Sequence, residues 1–342
     1  MPNTIIILID SLRLDHIGCY QDDLAPGTSL TPAMDALAAR GTMFTQAYLG
    51  SYACMPARRD FWTGQTGFPH RGWGPLEPDD PDLFKRLWDH DVTTAIMTDH
   101  YHLWDPGSGN YTFGFAGSTF IRGQEYDRWI TDPTIPIPWP APREKMAQHC
   151  PPDYYLRYQR NRADFRVERD WFAPRVFQAA IDWIERNHTQ PGFSLMIDCF
   201  DPHEPFDPPP PYDTRFVPES VSTGTDKVIW PTYGWNNLTP DELAVVRGLY
   251  AGELALTDRW LGYFLERLDD LDLFDTTTVI VTTDHGHLFG EHGLMGKPWS
   301  GIADGTLYEE LAHVPLIVAH PDATPGQTSD RLTQMVDLTA TV

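Results

Sequence analysis

The stretch Ile5-Ile6-Ile7-Leu8-Ile9-Asp10, five consecutive aliphatic residues closed by a carboxylate, sets the reading of the whole chain. The run is far short of the ~20 residues a membrane helix needs, and it lacks the alternation of a strand with one wet face. It reads as a strand buried on both faces, as in a parallel sheet. Val92 to Met97, Phe193 to Cys199, Thr277 to Thr283 and Val314 to Ala319 repeat the pattern. Helical periodicity falls between these runs, at Pro32 to Arg40, Pro81 to Asp89, Trp171 to Arg186 and Pro240 to Leu268. The last has the clearest start, with Thr239 as N-cap, Pro240 at the first helical position and Glu242 closing a capping box. Such alternation predicts an α/β fold, a large mostly parallel sheet sandwiched by helices. Residues 104 to 152 and 201 to 238 break the pattern. They are rich in Pro and aromatics, including Pro136, Pro138, Pro140, Pro142 and Pro208-Pro209-Pro210-Pro211. They read as rigid surface excursions over the carboxyl ends of the strands, where substrate pockets form.

The 342 residues carry 48 Asp plus Glu against 25 Lys plus Arg, a formal charge of −23. That balance argues against a general binder of nucleic acid or anionic membrane, and against a polyanionic substrate. Only Lys85, Lys145, Lys227 and Lys297 are lysines, so a motif lysine stands out. The cysteines, Cys19, Cys54, Cys150 and Cys199, are widely spaced and form no C-x-x-C pair, unlike a zinc ribbon or a disulfide framework. With Met1-Pro2-Asn3-Thr4 running straight into the first strand, we expect no signal peptide and a cytoplasmic location.

Three groups of residues suggest chemistry. Cys54-Met55-Pro56-Ala57-Arg58, followed by Thr63-Gly64, places a Cys at a helix N-terminus, where free N–H groups favour an anion, with Arg58 one turn on. An inert buried cysteine is the competing reading of Cys54 alone. Thr282-Thr283-Asp284-His285-Gly286 puts two potential ligands at a strand's carboxyl end, and Asp10 occupies the equivalent place after the first strand. Together they suggest a divalent cation site, unless the carboxylates merely cap helices. Asp99-His100-Tyr101-His102 and Asp201-Pro202-His203 follow two further strands.

Together these residues resemble the type I sulfatase family. The Cys54 to Arg58 run with Thr63-Gly64 matches its C-x-P-A-R signature. Asp10, Asp284-His285-Gly286, Gly290-Glu291-His292-Gly293, Gly296-Lys297, Tyr308-Glu309-Glu310 and Val314-Pro315-Leu316 follow in family order, with Phe68-Pro69-His70-Arg71 and Asp258-Arg259-Trp260 between. The resemblance implies an alkaline-phosphatase-like α/β fold and a sulfuric or phosphonic ester hydrolase. It implies that Cys54 becomes formylglycine through a formylglycine-generating enzyme. It also implies that Asp10, Asp284, His285 and modified Cys54 hold one divalent metal ion, Ca2+ or Mn2+. Arg58 resembles the residue that orients the formylglycine. Lys297 and His203 resemble the pair that contacts the transferred group and protonates the leaving group, and His102 resembles the residue assisting elimination. His100 stands where the family commonly has a substrate-binding Lys. Ser11 stands where many members have a second Asp, as in the phosphonate monoester hydrolase branch.

We therefore expect residues 1–342 to form a catalytic domain lacking the family's C-terminal subdomain. The expected substrate is a small aryl or alkyl sulfate monoester. The alternatives are a phosphonate monoester or phosphodiester hydrolase with the same machinery, and a metal-binding pseudoenzyme with unmodified Cys54. A homo-oligomer stays open.

Overall fold

The computed structural model describes residues 3–298 and 306–342, apart from Asp23, Pro26 and Pro69. Met1 and Pro2 of the expected start and Pro69 of the Phe68 to Arg71 run therefore lie outside the described residues. Eight strands make the main sheet: β1 Asn3–Ile9, β2 Thr42–Phe44, β3 Thr93–Thr98, β4 Gly117–Phe120, β5 Phe193–Cys199, β6 Thr277–Thr282, β7 Leu316–Ala319 and β8 Gln327–Ser329. Their spatial order is β8-β2-β7-β6-β1-β5-β3-β4. The block from β6 through β4 is parallel, with β1 paired to β5 and β6. Four of the five expected strands take these central parallel positions. The fifth, β7, runs antiparallel to both of its neighbours. A parallel return needs a long crossover, usually a helix, whereas the described residues between β6 and β7 offer only the 3-10 turn Glu291–Gly293 and the four-residue helix Glu309–Ala312.

The unbroken apolar run of β1 makes sense from its two faces. Ile5, Ile7 and Ile9 enter one core, and Ile6 and Leu8 enter the other. The first core is closed by α1 Pro32–Arg40, by α3 Phe172–Asn187 through Val176 and Phe177, and by α4 Pro240–Asp270 through Val245 and Leu249. The second is closed by α2 Cys54–Thr63 through Phe61 and Trp62, and by the helix Leu83–Trp88 through Phe84. Each fully buried aliphatic side chain contributes about 1.5–3 kcal/mol, so two-sided coverage holds the central strands.

Capping explains where α4 and α1 begin. Thr239 Oγ1 accepts from Glu242 N at 3.3 Å while Thr239 N donates to Glu242 Oε2 at 2.8 Å, the expected capping box. In α1 the N-cap Thr31 makes no such bond. Asp258 of α4 replaces it, accepting from Ala33 N at 2.9 Å and Met34 N at 3.0 Å. The segment 104 to 152 departs from the expected loop. It contains β4, a short exposed edge strand, and the helix Arg143–His149.

Candidate active site

The carboxyl ends of β1, β3, β5 and β6 lie side by side, and the chain places a polar side chain after each. Asp10 follows β1, His100 and His102 follow β3, His203 and Glu204 follow β5, and Asp284, His285 and His287 follow β6. Helix α2 points its N-terminus at the same place, with Cys54 as its first residue. Arg58, one turn along α2, ties these ends together. Its Nε and Nη2 bond Asp198 at 3.0 and 2.7 Å, its Nη1 bonds Asp284 Oδ2 at 2.5 Å, and Nη2 lies 3.1 Å from Asp10 Oδ2. All four residues are fully buried. Burial alone would lower the Arg58 pKa, but Asp198, Asp284 and Asp10 more than offset it and raise it well above the ordinary value.

Asp10, Cys54, Asp284 and His285, the four expected ligands, bring ligand atoms within 4.8 Å of one another. His285 Nδ1 bonds the Gly286 carbonyl at 2.8 Å, which leaves Nε2, 3.1 Å from Cys54 Sγ, to face the cluster. Burial lowers the His285 pKa, favouring the neutral ring that ligates metals. Three carboxylates, Asp10, Asp198 and Asp284, meet one guanidinium, a formal excess of −2 at full burial. A divalent cation balances that excess, so the donor set fits the implied metal. Burial, then Asp10 and Asp284, push the Cys54 thiol well above its ordinary pKa. Without a bound cation, an unmodified Cys54 is therefore a protonated thiol and a weak nucleophile.

A cavity of about 530 Å3 opens over this cluster, and Cys54, His102, His203 and Lys297 line it. Lys297 arrives at the end of strand Leu294–Gly296, part of a small three-stranded antiparallel sheet. Gly296 permits this approach: its φ is +75°, and a Cβ there would sit 2.3 Å from Tyr233 Cδ1. Lys297 Nζ bonds Glu204 Oε1 at 3.1 Å and Ser11 Oγ at 3.3 Å. His203 Nδ1 bonds the Glu204 carbonyl at 2.6 Å. Asp10, Arg58, Asp284 and His285 lie beneath the cavity. So does His100, expected at the substrate: its Nε2 is 3.2 Å from Asp10 Oδ2, and burial, then Arg58, lower its pKa well below the ordinary value.

Several residues of the site were not singled out from sequence. Asp198 sits inside β5, and its one visible signal is a carboxylate within an otherwise apolar run. Glu204, adjacent to His203, holds both Lys297 and His287, whose Nε2 is 3.1 Å from Glu204 Oε2. Burial, partly offset by Glu204, lowers His287 to about 4. Glu125, from the segment 104 to 152, also lines the cavity.

The sulfatase family model matches residues 2–342. Arylsulfatase K of Homo sapiens is 26% identical over 374 residues, covering all of this chain and 62% of that protein. Iduronate 2-sulfatase of Homo sapiens is 23% identical over 364 residues, covering 94% of this chain and 60% of that one. The chain thus spans about three-fifths of the length of these relatives. Among solved structures, the phosphonate monoester hydrolase of Agrobacterium radiobacter superposes with a TM-score of 0.73 at 20% identity, over 99% of this chain and 72% of that one. That likeness shows the fold, the α/β architecture expected from the strand and helix pattern. With the family model matched along its length, the chain belongs to the sulfatase family.

Proposed function

We propose that the chain hydrolyses a small sulfate monoester, with Cys54, converted to formylglycine, as the nucleophilic residue. The observation that carries this reading is the placement of Cys54: first residue of α2, within ligand distance of Asp10, Asp284 and His285, and exposed to the cavity. A hydrated formylglycine there would supply an oxygen nucleophile that the protonated thiol lacks. A divalent ion held by Asp10, Asp284, His285 and residue 54 would supply Lewis-acid polarisation. The remaining roles belong to side chains of the chain itself. Arg58, locked by Asp198, holds the first turn of α2 and its residue 54 in place through its 3.2 Å bond to the Cys54 carbonyl. Lys297 presents a fixed positive charge to the transferred group's oxygens: burial would lower its pKa, but Glu204 more than offsets that and keeps it charged. His203, its Nδ1–H committed to the Glu204 carbonyl, would give a proton from Nε2 to the departing alcohol when the ring is the imidazolium, returning to the neutral Nδ1–H form.

Ser11 favours a second reading, a phosphonate monoester or phosphodiester hydrolase. Ser11 Oγ donates to Asp10 Oδ1 at 2.9 Å and brings a hydroxyl, not a carboxylate, to the ligand cluster. Side-by-side kcat/KM on an aryl sulfate, a phenyl phosphonate monoester and a phosphodiester separates the two. A sulfate ester turned over about tenfold less efficiently than the others would replace the first reading with the second. Wild-type turnover by Cys54→Ala would remove both.

A further inference from the structure

Glu125 is held in an uncommon way. Its φ of +43° is left-handed, unfavourable for a residue with a long side chain, and Gly123 two residues earlier has φ +123°. The surrounding loop is pinned from several sides. Gln124 Nε2 bonds Asp201 at 2.7 Å and Asp99 at 3.1 Å, Asp127 accepts from Arg122 and Gly123 N, and Asn161 Nδ2 bonds the Gly123 and Asp127 carbonyls. Strain of this kind persists only where surrounding contacts over-determine it, and it concentrates at functional positions. Its result is a carboxylate 5% exposed, at the wall of the cavity.

Two histidines face that carboxylate. Glu125 Oε2 lies 3.2 Å from His102 Nε2, and Oε1 lies 3.8 Å from His203 Nδ1. The Glu125–His203–Glu204 grouping is compact enough for a cation, but Lys297 already neutralises Glu204 at 3.1 Å, and a metal would be repelled there. His203 has its Nδ1 proton committed to the Glu204 carbonyl. His102 has no such backbone partner: its Nδ1 is buried without a hydrogen bond among the described residues. Its ring plane is set by Trp73 at 5.0 Å and Tyr101 at 4.0 Å between centroids. Aromatic walls fix a plane but do not choose which nitrogen carries the proton.

We infer that Glu125 makes this choice: it is a positioning residue that holds the Nε2–H tautomer of His102. The Glu125 contact, at 3.2 Å, is not aligned as a hydrogen bond, as is common before substrate binds. A carboxylate behind an imidazole fixes tautomer and orientation in other proton-transfer sites. The bearing of that tautomer on turnover rests on the function proposed above, whereas the tautomer does not.

The test uses the full chain with unmodified Cys54, labelled at histidine. Heteronuclear spectra at mildly alkaline pH distinguish the two imidazole tautomers, and His102→Asn assigns the signal. The Nε2–H form is expected for His102 in wild type, a mixture in Glu125→Ala, and retention in Glu125→Gln, whose amide oxygen still accepts. An Nδ1–H form in wild type, or an unchanged Nε2–H form in Glu125→Ala, overturns the inference. In formylglycine-bearing enzyme, Glu125→Ala is expected to lower kcat about 10–100-fold with KM little changed. A shifted tautomer with unchanged kcat overturns the role in turnover. An inactive wild type with the expected tautomers refutes the proposed function while upholding the Glu125–His102 pairing.

Discussion

Arg58 meets Asp198, Asp284 and Asp10 with one planar fork, at full burial. Removing the guanidinium leaves three buried carboxylates uncompensated in a medium that cannot hydrate them. Arg58→Met should therefore destabilise the fold by about 3–5 kcal/mol. It should also abolish turnover, because the bond that holds residue 54 in place is lost. A urea midpoint within error of wild type would contradict this. Asp198 shows why part of the site escapes a reading of sequence. Apolar runs reveal strands, and ligand types at strand ends reveal sites, but a carboxylate one position inside a strand belongs to neither signal. Glu204 and Glu125 escape for a related reason: each acts through a residue distant in sequence, Lys297 or His102. By contrast Asp10, Cys54, Asp284 and His285 were readable because each follows a strand or opens a helix.

At the scale of elements, the two capping arrangements make separate predictions. Thr239→Ala removes one half of the capping box of α4 and should cost about 1 kcal/mol, read as a lower urea midpoint with unchanged slope. Asp258 is subtler. Burial, against the two N–H groups of α1, pushes its carboxyl up to about 7 from 3.8. Between those values the native protein binds a proton that the unfolded chain does not. Stability from this group is complete below about pH 4 and falls as pH rises through 7, by on the order of 1–4 kcal/mol. Wild type should therefore lose stability relative to Asp258→Asn between pH 4 and 8. A constant difference between the two urea midpoints across that range would show that Asp258 is ionised in the native state. The box at Thr239 was readable because its partners are three residues apart, whereas Asp258 reaches across 225 residues to Ala33. The central strands were likewise readable from their apolar runs. The edge strand β4, Gly-Ser-Thr-Phe, and the direction of β7 were not, because pairing partners and chain return decide them.

For the molecule as a whole, a chain of formal charge −23 encloses a buried cluster that is itself negative. Repulsion within that cluster makes metal binding a source of stability. Chelation should lower the Tm of wild type, added divalent metal should restore it, and Asp284→Asn should respond to neither. An equal chelator response in wild type and Asp284→Asn would place the metal elsewhere. The central claim is that residue 54 as formylglycine performs the hydrolysis. Its most direct test is to prepare the protein at graded degrees of Cys54 conversion, quantify each by peptide mass, and plot aryl sulfate turnover against the converted fraction. Turnover proportional to conversion, with an intercept of zero, is predicted; turnover independent of conversion would contradict the account.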